Sequence, residues 1–205
     1  MLRAGIHPFY PIVPDAAWAA RVARAGAYCL QLRMKGLGAD AIRREIATAL
    51  EACAPLDCQV IVNDFWREAI AEGADYVHLG QEDLQDADIE LLRDNDVRVG
   101  ISTHDEDELA TALRHSPDYV ALGPIYGTTT KDTGRAAQGL ERIRQWKELI
   151  GPIPLVAIGG ITLERASEVM AAGAQSVAVI SDVVGAPDPE ARIEAWLAWA
   201  ETIER

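Results

Sequence analysis

Eight short apolar stretches, rich in β-branched residues and separated by helical patterns, constrain the fold of this chain more than any other feature. They begin near Phe9 (FYPIV), Tyr28 (YCLQLR), Cys58 (CQVIV), Asp75 (DYVHL), Val97 (VRVGIS), Asp118 (DYVALG), Pro154 (PLVAIG) and Ser176 (SVAVIS). Near-continuous apolar runs of this length suit strands covered on both faces, as in a parallel sheet sheathed by helices. Between them, Ile42, Ile46, Ala49, Leu50 and Cys53 repeat at helical spacing and give the second helix one apolar face. Ile193, Trp196, Leu197 and Ala200 form a similar stripe on the last helix, which is expected to dock on the sheet.

Helix starts carry their own signals. Thr103 and Glu106 read as a capping box after the fifth strand, which puts His104 in the first helical turn. Asp188 before Pro189 reads as a cap preceding a proline at the first helical position, and Asp15 and Thr162 read as further caps. Eight strand–helix units with no break in composition predict one α/β domain over residues 1–205, a (β/α)8 TIM barrel. The runner-up is an open doubly wound sheet, disfavoured because Gly-rich segments recur after several strands and not mainly the first. The longest connection, roughly Gly123 to Gln138, is a candidate lid.

Composition narrows the partners. The 205 residues carry a formal net charge of −13, which opposes nucleic-acid binding and admits anionic substrates only where cations are concentrated. No apolar run approaches the roughly 18 residues of a membrane span, and no signal peptide is read at the N-terminus, so a cytoplasmic enzyme is expected. Cys29, Cys53 and Cys58 form no CxxC pair and read as reduced, buried thiols.

In a TIM barrel the chemistry sits at the C-terminal strand ends, and the unusual polar residues of this chain gather there. Strand periodicity puts Gln31, Arg33 and Lys35 on one face, toward the barrel mouth, and Leu32 and Met34 on the other, toward the helices. Two cations and an amide at the mouth call for an anionic ligand; a salt-bridge layer with barrel carboxylates is the structural alternative. Asn63-Asp64 ends strand three, and Asp83 follows strand four. Two carboxylates at adjacent strand ends suit Mg²⁺, with water and substrate phosphate completing its shell. The alternatives are a helix cap for Asp83 and an Arg33 ion pair for Asp64. His78 faces inward without a second histidine at zinc-ligand spacing, and Ser102 is left free for the pocket.

The segment Gly127-Thr128-Thr129-Thr130-Lys131 suits phosphate contact, although a solvated loop would look similar. Gly159 and Gly160 after strand seven, with Ile180 and Ser181 after strand eight, match the usual phosphate cradle of such barrels; a tight turn is the alternative. Two anionic sites, one cationic and metal-assisted and one built from backbone and threonines, suit the joining of two phosphorylated small molecules with pyrophosphate as the leaving group.

In order and spacing, QLRMK, VNDFWREA, VHLGQEDL, GISTHD, GPIYGTTTK, AQGLE and VAIGGI resemble the thiamine-phosphate synthase family, from about Tyr10 to Ser181. That resemblance implies a Mg²⁺-dependent transferase. It would condense 4-amino-2-methyl-5-(diphosphomethyl)pyrimidine with a thiazole phosphate and release pyrophosphate by a dissociative substitution. It implies Gln31 and Ser102 against the pyrimidine substrate, and Arg33, Lys35, Asn63 and Lys131 on its pyrophosphate. Arg33, Lys35 and Lys131 are the expected catalytic cations, and Asp64 and Asp83 the Mg²⁺ ligands. Thr128, Thr129, Thr130, Gly160, Ile180 and Ser181 are implied at the thiazole phosphate. Gly127 stands where proline is common, and Thr129 where Glu or Gln is common. Asp182 stands where a small apolar residue is usual, and its charge is tolerable beside a phosphate only if it turns away. The alternatives are a thiazole tautomerase-like isomerase, which needs no metal–pyrophosphate site, and a non-catalytic phosphate-ligand-binding barrel. The oligomeric state is left open.

Overall fold

The computed structural model describes residues 6–127 and 136–203. Eight parallel strands close into a barrel in sequence order, with the first pairing to the eighth. They are β1 (Phe9–Val13), β2 (Cys29–Leu32), β3 (Gln59–Asn63), β4 (Tyr76–Leu79), β5 (Arg98–Thr103), β6 (Tyr119–Leu122), β7 (Leu155–Ile158) and β8 (Ser176–Val179). Each begins within one residue of its expected start. The helices are α1 (Ala16–Arg24), α2 (Ala39–Cys53), α3 (Trp66–Ala71), α4 (Gln81–Asp86), α5 (Ile89–Asp94), α6 (Glu106–Arg114), α7 (Gly139–Ile150), α8 (Leu163–Ala171), α9 (Ser181–Val184) and α10 (Pro189–Ile203). None of the described helices is long and apolar enough to cross a membrane.

Successive residues of a strand point to opposite faces, so each strand feeds two cores. The larger core lies between sheet and helices and contains Leu30, Leu32, Met34, Val60, Val62 and the stripe of α2. The smaller core takes alternate residues, among them Tyr10, Ile12, Ile61, Tyr76, Tyr119 and Val156, and fills the barrel. Leu32 and Met34 belong to the outer core and Gln31 bonds to inward-facing Tyr10, as the parity of strand two predicts. On the outer side Trp196 of α10 stacks on Phe9 of β1, with ring centroids 5.3 Å apart. Cys29, Cys53 and Cys58 are free and buried.

Glycine is needed at Gly100 of β5 for a steric reason. Its register partner on β6 is Tyr119, and a Cβ at Gly100 would lie 2.1 Å from Cζ of that ring. The missing side chain makes the space into which the phenol packs.

The caps at Asp15 and Asp188 are present: their carboxylates accept from the Trp18 N–H at 2.8 Å and the Ala191 N–H at 3.1 Å. Thr162 occupies its N-cap position, but its hydroxyl bonds to no backbone N–H of α8. The expected capping box at Thr103 and Glu106 is not formed. Asp105 caps α6, accepting from the Glu108 N–H at 2.9 Å, and His104 lies before the helix, paired with Glu108. Thr103 is the last residue of β5 and fully buried. Its hydroxyl donates to the Ala121 carbonyl at 3.0 Å and accepts from the Trp146 indole N–H at 2.9 Å. Local spacing cannot distinguish a cap from a strand end that reaches outward to a helix 43 residues further along the chain. Thr103→Val keeps the shape and strands the indole N–H, so it is expected to cost about 1–3 kcal/mol. Urea unfolding measures this, and a midpoint equal to the parent's would refute the account.

Candidate functional site

The carboxylate pair is set by two strand ends. Asp64 directly follows β3 and adopts a left-handed backbone, φ 66°, a region where Asp and Asn are favoured among non-glycine residues. The turn is held by Phe65 N–H to the Asn63 carbonyl (2.9 Å) and Trp66 N–H to the Asp64 carbonyl (2.8 Å). The Asp64 N–H reaches β4 at the His78 carbonyl, 2.9 Å away. Asp83 enters from the first turn of α4, just beyond β4; the N-cap there is Gly80, so Asp83 is not the cap.

The two carboxyl groups are hydrogen-bond neighbours, and the Asp64 pKa is raised to about 6. Burial is the largest cause, followed by the negative charge of Asp83 and the bond to it. The charge of Arg33 and the buried Asn63 amide, which donates to the Asp64 carboxylate, oppose the rise. Arg33 therefore stands within electrostatic reach of Asp64. It is half-buried, just past β2, with its N–H on the Val13 carbonyl at 2.8 Å. Lys35 is exposed on the loop beyond. Among the described residues no group of three metal-ligating His, Cys, Asp or Glu side chains converges.

Below this rim the barrel holds a chain of polar side chains. The Gln31 amide donates to the Tyr10 hydroxyl at 3.1 Å, and Tyr10 bonds to the Tyr119 hydroxyl at 3.0 Å. Tyr119 bonds to His78 Nδ1 at 2.6 Å, and His78 Nε2 to the Ser102 hydroxyl at 2.7 Å. The Gln81 amide pins the Ser102 carbonyl at 2.7 Å. Sequence reasoning placed Gln31 and Ser102 at the pocket and turned His78 inward, but missed Tyr10 and Tyr119. Strand parity carried the signal: both tyrosines lie on inward positions of β1 and β6.

On the opposite side, Gly159 (φ 98°) and Gly160 (φ 63°) form the turn after β7. A Cβ on Gly160 would lie 2.6 Å from the Gly127 carbonyl oxygen, and one on Gly159 2.6 Å from Pro124 Cα. These glycines thus let the loops after β6 and β7 lie against each other, and Tyr126 N–H donates to the Gly159 carbonyl at 3.0 Å. Ile180 precedes α9 and Ser181 opens it. Asp182 turns away: both its oxygens accept from Arg192 at 2.9 Å, and one also from the Trp196 indole at 2.8 Å. Its charge is thereby spent on α10. The candidates Thr128, Thr129, Thr130 and Lys131 lie outside the described residues, as does the middle of the candidate lid. The ends of that connection are tied together by Gln138, whose N–H donates to the Pro124 carbonyl and whose amide donates to the Gly123 carbonyl, each at 2.9 Å.

Comparison with known proteins places these features in context. A family model described as thiamine monophosphate synthase matches residues 10–183. The thiamine-phosphate synthase of Rhizobium etli is 51% identical over 193 residues, 94% of this chain and 95% of its own. That of Neisseria meningitidis serogroup A is 45% identical over 190 residues, 93% of each chain. Among solved structures, thiamine phosphate pyrophosphorylase from Pyrococcus furiosus superposes with a TM-score of 0.83 at 29% identity, covering 95% of this chain and 96% of that one.

Proposed function

The chain belongs to the thiamine monophosphate synthase family, and from that premise we propose that it condenses a hydroxymethylpyrimidine pyrophosphate with a thiazole phosphate, giving thiamine phosphate and pyrophosphate. The observation that carries the reading is the Asp64–Asp83 pair beside Arg33 at one rim of the barrel. A second carboxylate that raises the proton affinity of partly buried Asp64 is costly unless a cation joins the two. Two carboxylates are hard oxygen donors, and they fit Mg²⁺, which keeps water and substrate phosphate in the rest of its shell. Asp64 and Asp83 would hold it, with Asn63 keeping the Asp64 carboxylate in place. When bound, Mg²⁺ supplies charge neutralisation to the departing diphosphate.

The remaining work falls to the protein's own side chains. Arg33 and Lys35 bind the diphosphate oxygens, joined by Lys131, and Gln31 and Ser102 hold the pyrimidine. Thr128, Thr129, Thr130, Gly160 and the backbone at Ile180 and Ser181 hold the thiazole phosphate, which aims the ring nitrogen at the carbon losing its leaving group. Loss of pyrophosphate before attack needs charge neutralisation and positioning and no strong protein base. The three free thiols fit the cytoplasmic placement read from the sequence.

The decisive test supplies both substrates with Mg²⁺ and follows thiamine phosphate by mass spectrometry. Isomerised thiazole without condensed product would overturn the proposal. A finer prediction concerns the division into two sites. Lys35→Ala is expected to raise KM for the pyrimidine substrate about tenfold or more while leaving the thiazole KM within about twofold. Equal weakening of both, in steady-state kinetics with each substrate varied, would count against that division.

A further inference from the structure

We infer that Tyr10, Tyr119 and His78 form a directional hydrogen-bond relay that makes Ser102 a donor toward the pyrimidine substrate, so that these three are positioning residues. The inference rests on the function proposed above and on the five-residue chain inside the barrel.

The direction follows from counting protons. The Gln31 amide nitrogen can only donate, so the Tyr10 oxygen accepts from it. The hydroxyl hydrogen of Tyr10 then lies toward the Tyr119 oxygen, 3.0 Å away. With that oxygen accepting, the hydrogen of Tyr119 lies toward His78 Nδ1 at 2.6 Å. A neutral ring that accepts at Nδ1 carries its proton at Nε2. That N–H donates to the Ser102 oxygen at 2.7 Å. The serine's own hydrogen is left to point elsewhere, and Ser102, unlike Tyr10 and Tyr119, is only partly buried.

The surroundings keep in place the groups and protons that this count uses. Both tyrosines are fully buried, where loss of the phenolic proton is disfavoured, and burial raises both pKa values well above the ordinary one. His78 is buried, and both of its ring nitrogens have a hydroxyl partner in the chain. The bond from Gln81 to the Ser102 carbonyl at 2.7 Å holds the backbone that carries this hydroxyl.

A ring nitrogen of a pyrimidine is an acceptor, so a fixed donor at Ser102 fits it. Such a donor holds the ring without feeding electrons to the reacting carbon. Its loss should therefore fall on substrate binding more than on turnover. Reversing the polarity would turn Ser102 into an acceptor facing an acceptor.

The test uses the full chain in two measurements. Nitrogen-15 NMR of the histidine-labelled wild-type protein should show His78 as the neutral Nε2–H tautomer. Tyr119→Phe, which removes one link, should mix the tautomers and raise KM for the pyrimidine substrate about tenfold, with kcat and the thiazole KM within about twofold. If Tyr119→Phe does not fold, Tyr10→Phe takes its place and should shift the same KM in the same direction. A wild-type ring protonated at Nδ1, or as the imidazolium, would overturn the relay. So would a folded variant with wild-type constants for both substrates. Failure of the parent enzyme to make thiamine phosphate would instead sink the function, and the tautomer spectrum would still report on the relay.

Discussion

Asp64→Asn and Asp83→Asn are each expected to lower kcat by about 100- to 1000-fold, the scale seen when one preorganised electrostatic contact to a developing charge is removed. The Mg²⁺ concentration for half-maximal rate should rise in both. The reason is the pairing at the rim: the charge of Asp83 makes Asp64 costly to ionise, and a bound cation would reverse that cost. Either variant keeping full rate under limiting Mg²⁺ would remove the metal from the account.

The same pair has a second consequence in the metal-free protein. The folded pKa of Asp64 lies above the unfolded value of about 3.9, so folding is coupled to proton uptake at this site. The stability this provides is fully present below the unfolded value and is lost as pH rises through about 6. Asp64→Asn carries no such charge and tolerates the left-handed backbone, so it should be more stable than the parent at pH 7.5 without Mg²⁺, by about 1–3 kcal/mol. Its dependence on pH between about 4 and 7 should be flatter. Denaturant titrations with a chelator present measure both. A substitution that removes turnover while raising stability is the mark of a site held against its own electrostatics.

Gly100→Ala is the largest expected loss of stability, about 3 kcal/mol or more, at or beyond the usual cost of overpacking a core. The added methyl would sit 2.1 Å from Cζ and 2.6 Å from the hydroxyl oxygen of Tyr119. That ring is fully buried and bonded to both Tyr10 and His78, so it has no free direction in which to yield. Against a total stability of roughly 5–15 kcal/mol, such a loss endangers folding itself. Combining Gly100→Ala with Tyr119→Leu should recover part of it, because the smaller side chain vacates the position the methyl needs. A double-mutant cycle in urea measures that coupling. Additive effects, or Gly100→Ala as stable as the parent, would show that the barrel relaxes around the methyl.

What the sequence determined by itself follows from periodicity. Eight apolar runs with helical patterns between them dictate the alternation, and the barrel strands start within one residue of the positions read from them. Strand parity assigned Gln31 to the interior and Leu32 and Met34 to the helix side before any contact was known. The order of the strands around the barrel brought Asp64 and Asp83 together, because consecutive parallel strands pair and their ends share one rim.

Only the tertiary structure decided which side chains meet across the barrel. Tyr10 and Tyr119 bond over 109 residues of chain, and nothing local to either predicts the other. Thr103 looked like a cap because its spacing to Glu106 is that of a cap; the indole of Trp146, 43 residues away, draws it into the outer core instead. Asp182 carries a charge that local reasoning sets beside a phosphate, whereas Arg192 and Trp196 on α10 turn it aside. Periodicity is a property of neighbours in the chain and is written in the order of residues. A hydrogen bond between distant strands depends on register, tilt and the room left by a missing Cβ at Gly100, and those exist only once the barrel has closed.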